Sequence, residues 1–196
     1  MSLVRSIRRP LGTALRCLRS ADERQDLIWE LRRRGRGEPV LPGPGIERVL
    51  VVCYGNICRS PFAERLLARA CAGLVVRSAG FEAGDGDPAQ PDAIRVAAEF
   101  GIDLSDHRAR RMRREDVDWA DLIIGMTGRH HAMLRVRWPD RTDRLRLLGD
   151  FLLRPPYALE DPWGCPPEIF RAVYRRIEQA TAGLAGRIQE RGRAAS

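Results

Sequence analysis

Cys53 and Arg59 are separated by five residues in the stretch Cys53-Tyr54-Gly55-Asn56-Ile57-Cys58-Arg59-Ser60, and Pro61 follows. The apolar run from Val49 to Cys53 reads as a strand. Pro61 predicts a helix start, because a missing amide donor costs nothing in a first turn. A chain that turns through Gly55 from strand end to helix start aims several backbone N–H groups at one point, and the helix dipole makes that point attractive to an anion. Arg59 can reach back over the loop and offer a planar fork of donors to two oxygens of a tetrahedral oxyanion. The same positive surroundings favour an ionised thiol, so Cys53 would be a nucleophile held against the group it attacks. A free cysteine ending a buried strand is ordinarily a small packing residue. The company of Gly55, Asn56, Arg59, Ser60 and Pro61 between a strand and a helix is what singles this one out. Cys58 sits in the same loop, near enough to Cys53 for a reversible disulfide that would shield the nucleophile; a small buried loop residue is the equal alternative.

Such a loop needs a sheet to hold it, and the pattern after residue 45 supplies one. Apolar strands at Val49–Cys53, Val75–Ser78, Leu122–Met126 and Leu145–Leu148 alternate with helices from Pro61 to Cys71, Pro91 to Phe100, Gly128 to Trp138 and Glu168 to Arg191. Strand and helix in alternation predict an α/β fold with four parallel strands flanked by helices. Ile169, Val173, Ile177, Leu184 and Ile188 mark the inner face expected of the last helix.

Before this pattern, Glu38 to Gly45 (Glu-Pro-Val-Leu-Pro-Gly-Pro-Gly) cannot sustain a helix or a central strand and reads as a linker. Asp22 to Arg34 places Leu27, Ile28 and Leu31 at helical spacing, and Leu3 to Ser20 is arginine-rich and free of acids. The expected organisation is a basic extension over residues 1–45 and one catalytic domain over 46–196. The formal charge of +8 is uneven: residues 1–45 hold ten arginines against five acids, and the remainder holds 24 against 21. All 34 basic residues are arginine, which resembles a coding bias more than selection for one partner. Five cysteines at 17, 53, 58, 71 and 165 form no disulfide framework and suit a reducing compartment. With no apolar run of membrane-spanning length and no secretory-type N-terminus, the expected location is the cytoplasm.

Val52-Cys53-Tyr54-Gly55-Asn56-Ile57-Cys58-Arg59-Ser60-Pro61 resembles the signature of the low-molecular-weight protein tyrosine phosphatases. The likeness continues through Ser78-Ala79-Gly80, Asp103 to Arg108, Ala120 to Ile124 with Met126, and Asp161-Pro162-Trp163. It implies strand order 2-1-3-4 and hydrolysis of phosphotyrosine through a phosphocysteine. Cys53 would be nucleophile, Arg59 the phosphate ligand, and Asp161 the acid that protonates the leaving phenolate and then activates water. The scheme calls for no metal and no cofactor. Tyr54, Gly55, Asn56, Ile57, Cys58 and Ser60 would surround the substrate, with Trp163 stacking on its ring. Asn56, Ser60, Ser78 and His107 would prop the loop. The family often places a second aromatic after Ser-Ala-Gly; Glu82-Ala83-Gly84 stands there instead, leaving Phe81 as the nearby substitute.

Two other enzyme activities use the same fold. Arsenate reduction through thioredoxin needs a relay of distal cysteines, and none lies between Val75 and Glu160. Members that hydrolyse phosphoarginine carry Thr where Ile57 stands, so Ile57 points to the larger, flat phosphotyrosine. From a different class, the basic extension would serve as a binding arm for an anionic surface or acidic partner, or as a mitochondrial presequence. With Trp29 its one aromatic, it argues against nucleic-acid recognition. By the same resemblance, the substrate of a bacterial member would be a tyrosine kinase of polysaccharide export.

Overall fold

The computed structural model describes residues 27–29, 31, 39–43 and 45–195. Strands β1 (Arg48–Cys53), β2 (Val75–Gly80), β3 (Leu122–Gly125) and β4 (Leu145–Leu147) form one sheet in the order β2-β1-β3-β4. All three pairings are parallel, with Cys53 beside Gly80 and Val51 beside Ser78 and Ile124. The helices are α1 (Arg59–Ala70), α2 (Pro91–Glu99), α3 (Arg114–Trp119), α4 (Gly128–Arg137) and α5 (Pro167–Ala195).

Period-two alternation along β1 divides the core. Val49, Val51 and Cys53 face one apolar cluster with residues of α1, α2 and α5, while Leu50 and Val52 face the other with Val117 of α3 and Leu134 of α4. Residues buried on both faces are what a helix-covered parallel sheet requires. Alternation therefore puts the Cys53 side chain on the α1 side. β1 has β2 on one flank and β3 on the other, so the chain leaves its C-terminal end where the strand order reverses. That crevice is where open parallel sheets bind ligands.

The strands and four of the helices fall where the sequence predicts them. Helix α3 was not anticipated, since its six residues offer no apolar period long enough to read. Ile169 does not face inward on α5: it is 45% exposed, and Phe170 and Tyr174 take the buried positions with Val173, Ile177 and Leu184. The helical repeat accommodates 170, 173, 174, 177 and 184 on one stripe, and Ile169 lies off it.

The segment expected to be a linker is pinned to the domain where it is described. Leu41 is buried in the cluster with α1 and α5. Arg146 Nε donates to Val40 O at 2.6 Å and Arg191 Nη1 to Leu41 O at 2.7 Å. Residues 27–29 and 31 are helical, and Trp29 Nε1 donates to Asp150 Oδ1 at 3.1 Å with its ring 4.7 Å from that of His131. Cys17 and Leu3 to Ser20 lie outside the described residues. No helix among the described residues is long and apolar enough to cross a membrane.

Candidate active site

Asn56 holds the loop in a conformation that few residues accept. Its φ is +55°, and it is the one non-glycine residue with positive φ among those described; L-residues enter this region at a cost of about 1–3 kcal/mol. Hydrogen bonds on every side compensate. Asn56 Nδ2 donates to Ser60 Oγ and Ser78 Oγ, both at 2.9 Å. Arg110 N donates to Asn56 Oδ1 at 3.0 Å. His107 Nε2 lies 2.6 Å from Asn56 O, and because a carbonyl only accepts, Nε2 carries the proton. Ser78 Oγ donates onward to Glu64 Oε2 at 2.5 Å. Behind the loop, Tyr174 Oη donates to Cys58 O at 2.9 Å.

The loop also needs room. Gly80 pairs with Cys53 across the sheet, and a Cβ there would fall 2.7 Å from Tyr54 O and 2.9 Å from Asn56 N. Only glycine lets β2 run this close.

Cys53 Sγ lies 3.0 Å from Ser60 Oγ. Ser60 already accepts from Asn56, so its own proton is free to point at the sulfur and stabilise negative charge there. Arg59 opens α1 and is 3% exposed. Its Nη1 donates to Leu159 O at 3.0 Å and its Nη2 to Asp161 Oδ2 at 2.5 Å. Its buried Nε has no partner among the described residues, a donor left over for an oxyanion. Asp161 is half-exposed, and its Oδ1 accepts from Trp163 N at 3.2 Å, which fixes the carboxylate against the following turn. Burial, with the negative charges of Cys53 and Asp161 adding to it, pushes the Cys58 thiol far up. A thiol that stays protonated is a poor attacking group for a disulfide.

These residues line one cavity of about 320 Å³ together with Tyr54, Gly55, Ile57, Glu82, Gly84, Asp87 and Trp163. Trp163 is 66% exposed at its mouth rather than packed in the core. The Asn56 and Ser60 side chains are fully buried beneath the loop and outside the cavity lining, where their hydrogen bonds support the loop. Phe81 is not the second wall either. It is fully buried, stacked on His130 at 5.7 Å, because alternation past β2 turns it toward the α3–α4 side of the sheet. The aromatic lining besides Trp163 is Tyr54, braced by the Arg129 guanidinium 4.8 Å from its ring centre.

His130, which sequence reasoning did not single out, lies buried under this region. Its Nδ1 accepts from Met126 N and Thr127 N, each at 3.2 Å, so the ring is neutral. Burial, helped by the charges of Arg59 and Arg129, holds its pKa well below the usual 6.5. A base depressed in the fold is protonated first in the unfolded chain, so its stabilisation is complete above about 6.5 and declines as pH falls below it. Unfolding by denaturant should show lower stability at pH 5.5 than at 7.5 from this group. That slope should be missing from His130→Asn, whatever the variant's absolute stability. Carboxylates act lower: Asp121, held below its usual value chiefly by Arg48, contributes above about pH 4 and is lost below.

A thiol and a buried arginine on one loop at the switch point of a parallel sheet, with a carboxylate delivered from a distant turn, define a cysteine-based oxyanion enzyme. Residues 48–194 match the family model described as low molecular weight phosphotyrosine protein phosphatase, and the chain belongs to that family of phosphatases. It is 37% identical over 147 residues to a probable low molecular weight protein-tyrosine-phosphatase EpsP of Ralstonia solanacearum, covering 75% of this chain and 99% of that one. Among solved structures, the tyrosine phosphatase Wzb from Escherichia coli K30 in complex with sulphate superposes with a TM-score of 0.70 at 33% identity, over 73% of this chain and 99% of that one. The YwlE arginine phosphatase from Geobacillus stearothermophilus gives 0.69 at 36%, over 74% and 94%.

Proposed function

We propose that residues 46–196 form a catalytic domain that hydrolyses phosphotyrosine in proteins through a phosphocysteine at Cys53. The observation that carries this reading is the meeting of Arg59 Nη2 and Asp161 Oδ2 at 2.5 Å beside Cys53, from positions 102 residues apart. The loop alone accounts for oxyanion binding and thiolate attack. The carboxylate adds the proton that an aryl oxide needs in order to leave.

In the first step Cys53 Sγ bonds to phosphorus and the P–O bond to the phenol breaks. Arg59 and the loop amides hold the equatorial oxygens, whose charge they offset as it shifts. Phosphate oxygens entering the Arg59 fork displace Asp161 from its ion pair; the freed carboxylate takes up a proton from water and gives it to the leaving oxygen as the P–O bond breaks. Asp161 then removes a proton from water as that water attacks phosphorus. The P–S bond breaks, and inorganic phosphate and the thiolate are released. Tyr54 and Trp163 offer aromatic faces to the substrate ring.

Asp161→Asn should retain phosphate binding while kcat falls about 10²- to 10⁴-fold, with the loss growing as the leaving group becomes more basic. Equal losses for p-nitrophenyl and phenyl phosphate would remove Asp161 from the role of acid. The likeness to the Geobacillus arginine phosphatase supports phosphoarginine as the second reading, and Ile57 on the cavity wall favours phosphotyrosine over it. The proposed partner is a bacterial tyrosine kinase, and the proposed location is the cytoplasm. Residues 1–45 are proposed as an appended arm for an anionic surface. Because Leu41 is built into the core, its binding is best tested by truncation before residue 39.

A further inference from the structure

Three carboxylates line the cavity: Asp161, Glu82 and Asp87. Their charges are not equally answered. Asp161 is paired with Arg59. Glu82 pairs with Arg137 at 2.9 Å and lies 3.8 Å from Arg111. The neighbouring Asp85 is held by Arg113 at 3.2 Å and by Arg111 N at 2.6 Å. The Asp87 side chain has no hydrogen bond and no ion pair among the described residues, and it is exposed.

Although its side chain is exposed, the backbone of Asp87 is held in place. Its backbone N donates to Gly84 O at 3.2 Å, and its carbonyl accepts from Ala109 N at 2.7 Å. Its carboxylate lies over Gly84, in the space a side chain at that position would take. The result is one unpaired carboxylate, on an anchored stretch of backbone, at the rim the flanks of a bound protein substrate would cross. The phosphate itself is answered by Arg59 and the loop, so the carboxylate is left to act on whatever lies beside it.

We propose that Asp87 selects phosphotyrosine substrates with a lysine or arginine next to the phosphorylated residue and disfavours those with an acid there. The inference rests on the phosphatase reading above. An exposed pair of this kind is worth about twofold to fivefold per charge step at low salt, and less as salt screens it.

The test is a set of phosphotyrosine peptides differing only in Lys, Gln or Glu at the residues before and after the phosphotyrosine. For each enzyme the readout is the ratio of kcat/KM for the Lys peptide to that for the Glu peptide, which cancels any general change in activity. Wild type should give a ratio of about four to twenty-five per substituted position at low ionic strength, shrinking toward one at high salt. Asp87→Asn should bring it near one, and Asp87→Arg should invert it. A wild-type ratio near one, or a preference that survives Asp87→Asn, overturns the proposal. Wild-type turnover of p-nitrophenyl phosphate, run alongside, separates the two failures: a ratio near one with that turnover intact overturns the charge preference alone, whereas no turnover overturns the phosphatase reading and the charge preference with it.

Discussion

Cys53→Ser is expected to lower kcat for an aryl phosphate by about 10⁴- to 10⁶-fold, the scale on which removal of a covalent nucleophile acts. Serine is close in size, and the site around it is made by Ser60, Asn56 and the loop amides, so the variant should keep its melting temperature and bind inorganic phosphate. The hydroxyl cannot replace the sulfur, because it is far less ionised and, among the described residues, no base is hydrogen-bonded at this position to take its proton. Cys53 Sγ has Ser60 Oγ as its hydrogen-bonding neighbour, and Ser60 is itself committed to Asn56. Substantial residual turnover would mean that another group attacks phosphorus.

Arg59→Lys is the second large effect, with kcat/KM expected to fall about 10³-fold or more, as for an arginine that stabilises phosphoryl-transfer charge. Charge is conserved in this substitution; geometry is not. The guanidinium divides its donors among Leu159 O, Asp161 and the unpartnered Nε. A lysine ammonium can make one of these contacts well but cannot also present a fork to two phosphate oxygens. Loss of the Leu159 contact also frees the turn that carries Asp161, so the leaving-group dependence should steepen along with the fall in rate. A fall of less than tenfold would show that the loop amides suffice to hold the phosphoryl group.

The chemistry of the loop was legible because it is local. Strand, glycine, helix start and the Cys-to-Arg spacing all lie within a dozen residues; which way Cys53 points was not legible, because every position from Val49 to Cys53 is apolar and only packing separates the two faces. Asp161 could be reached only through family resemblance, since nothing local distinguishes an acid before proline in a loop from a turn residue. The supports were harder still. Glu64 meets Ser78 across two elements, and Gly80 matters only because β2 pairs with β1 in one register. Phe81 seemed free to line the cavity until that register turned it into the core. Asp87 was invisible because its significance is a missing partner, and a missing partner can be judged only when every neighbour is in place.

The most direct measurement is rapid quenching of the wild-type enzyme during turnover of a ³²P-labelled phosphotyrosine peptide, followed by mapping of the label. Covalently bound phosphate should be found on the peptide containing Cys53, accumulate further in Asp161→Asn when the leaving group is good, and be absent from Cys53→Ser. Turnover with no bound label in either form, or label on any other residue, would contradict the phosphocysteine mechanism.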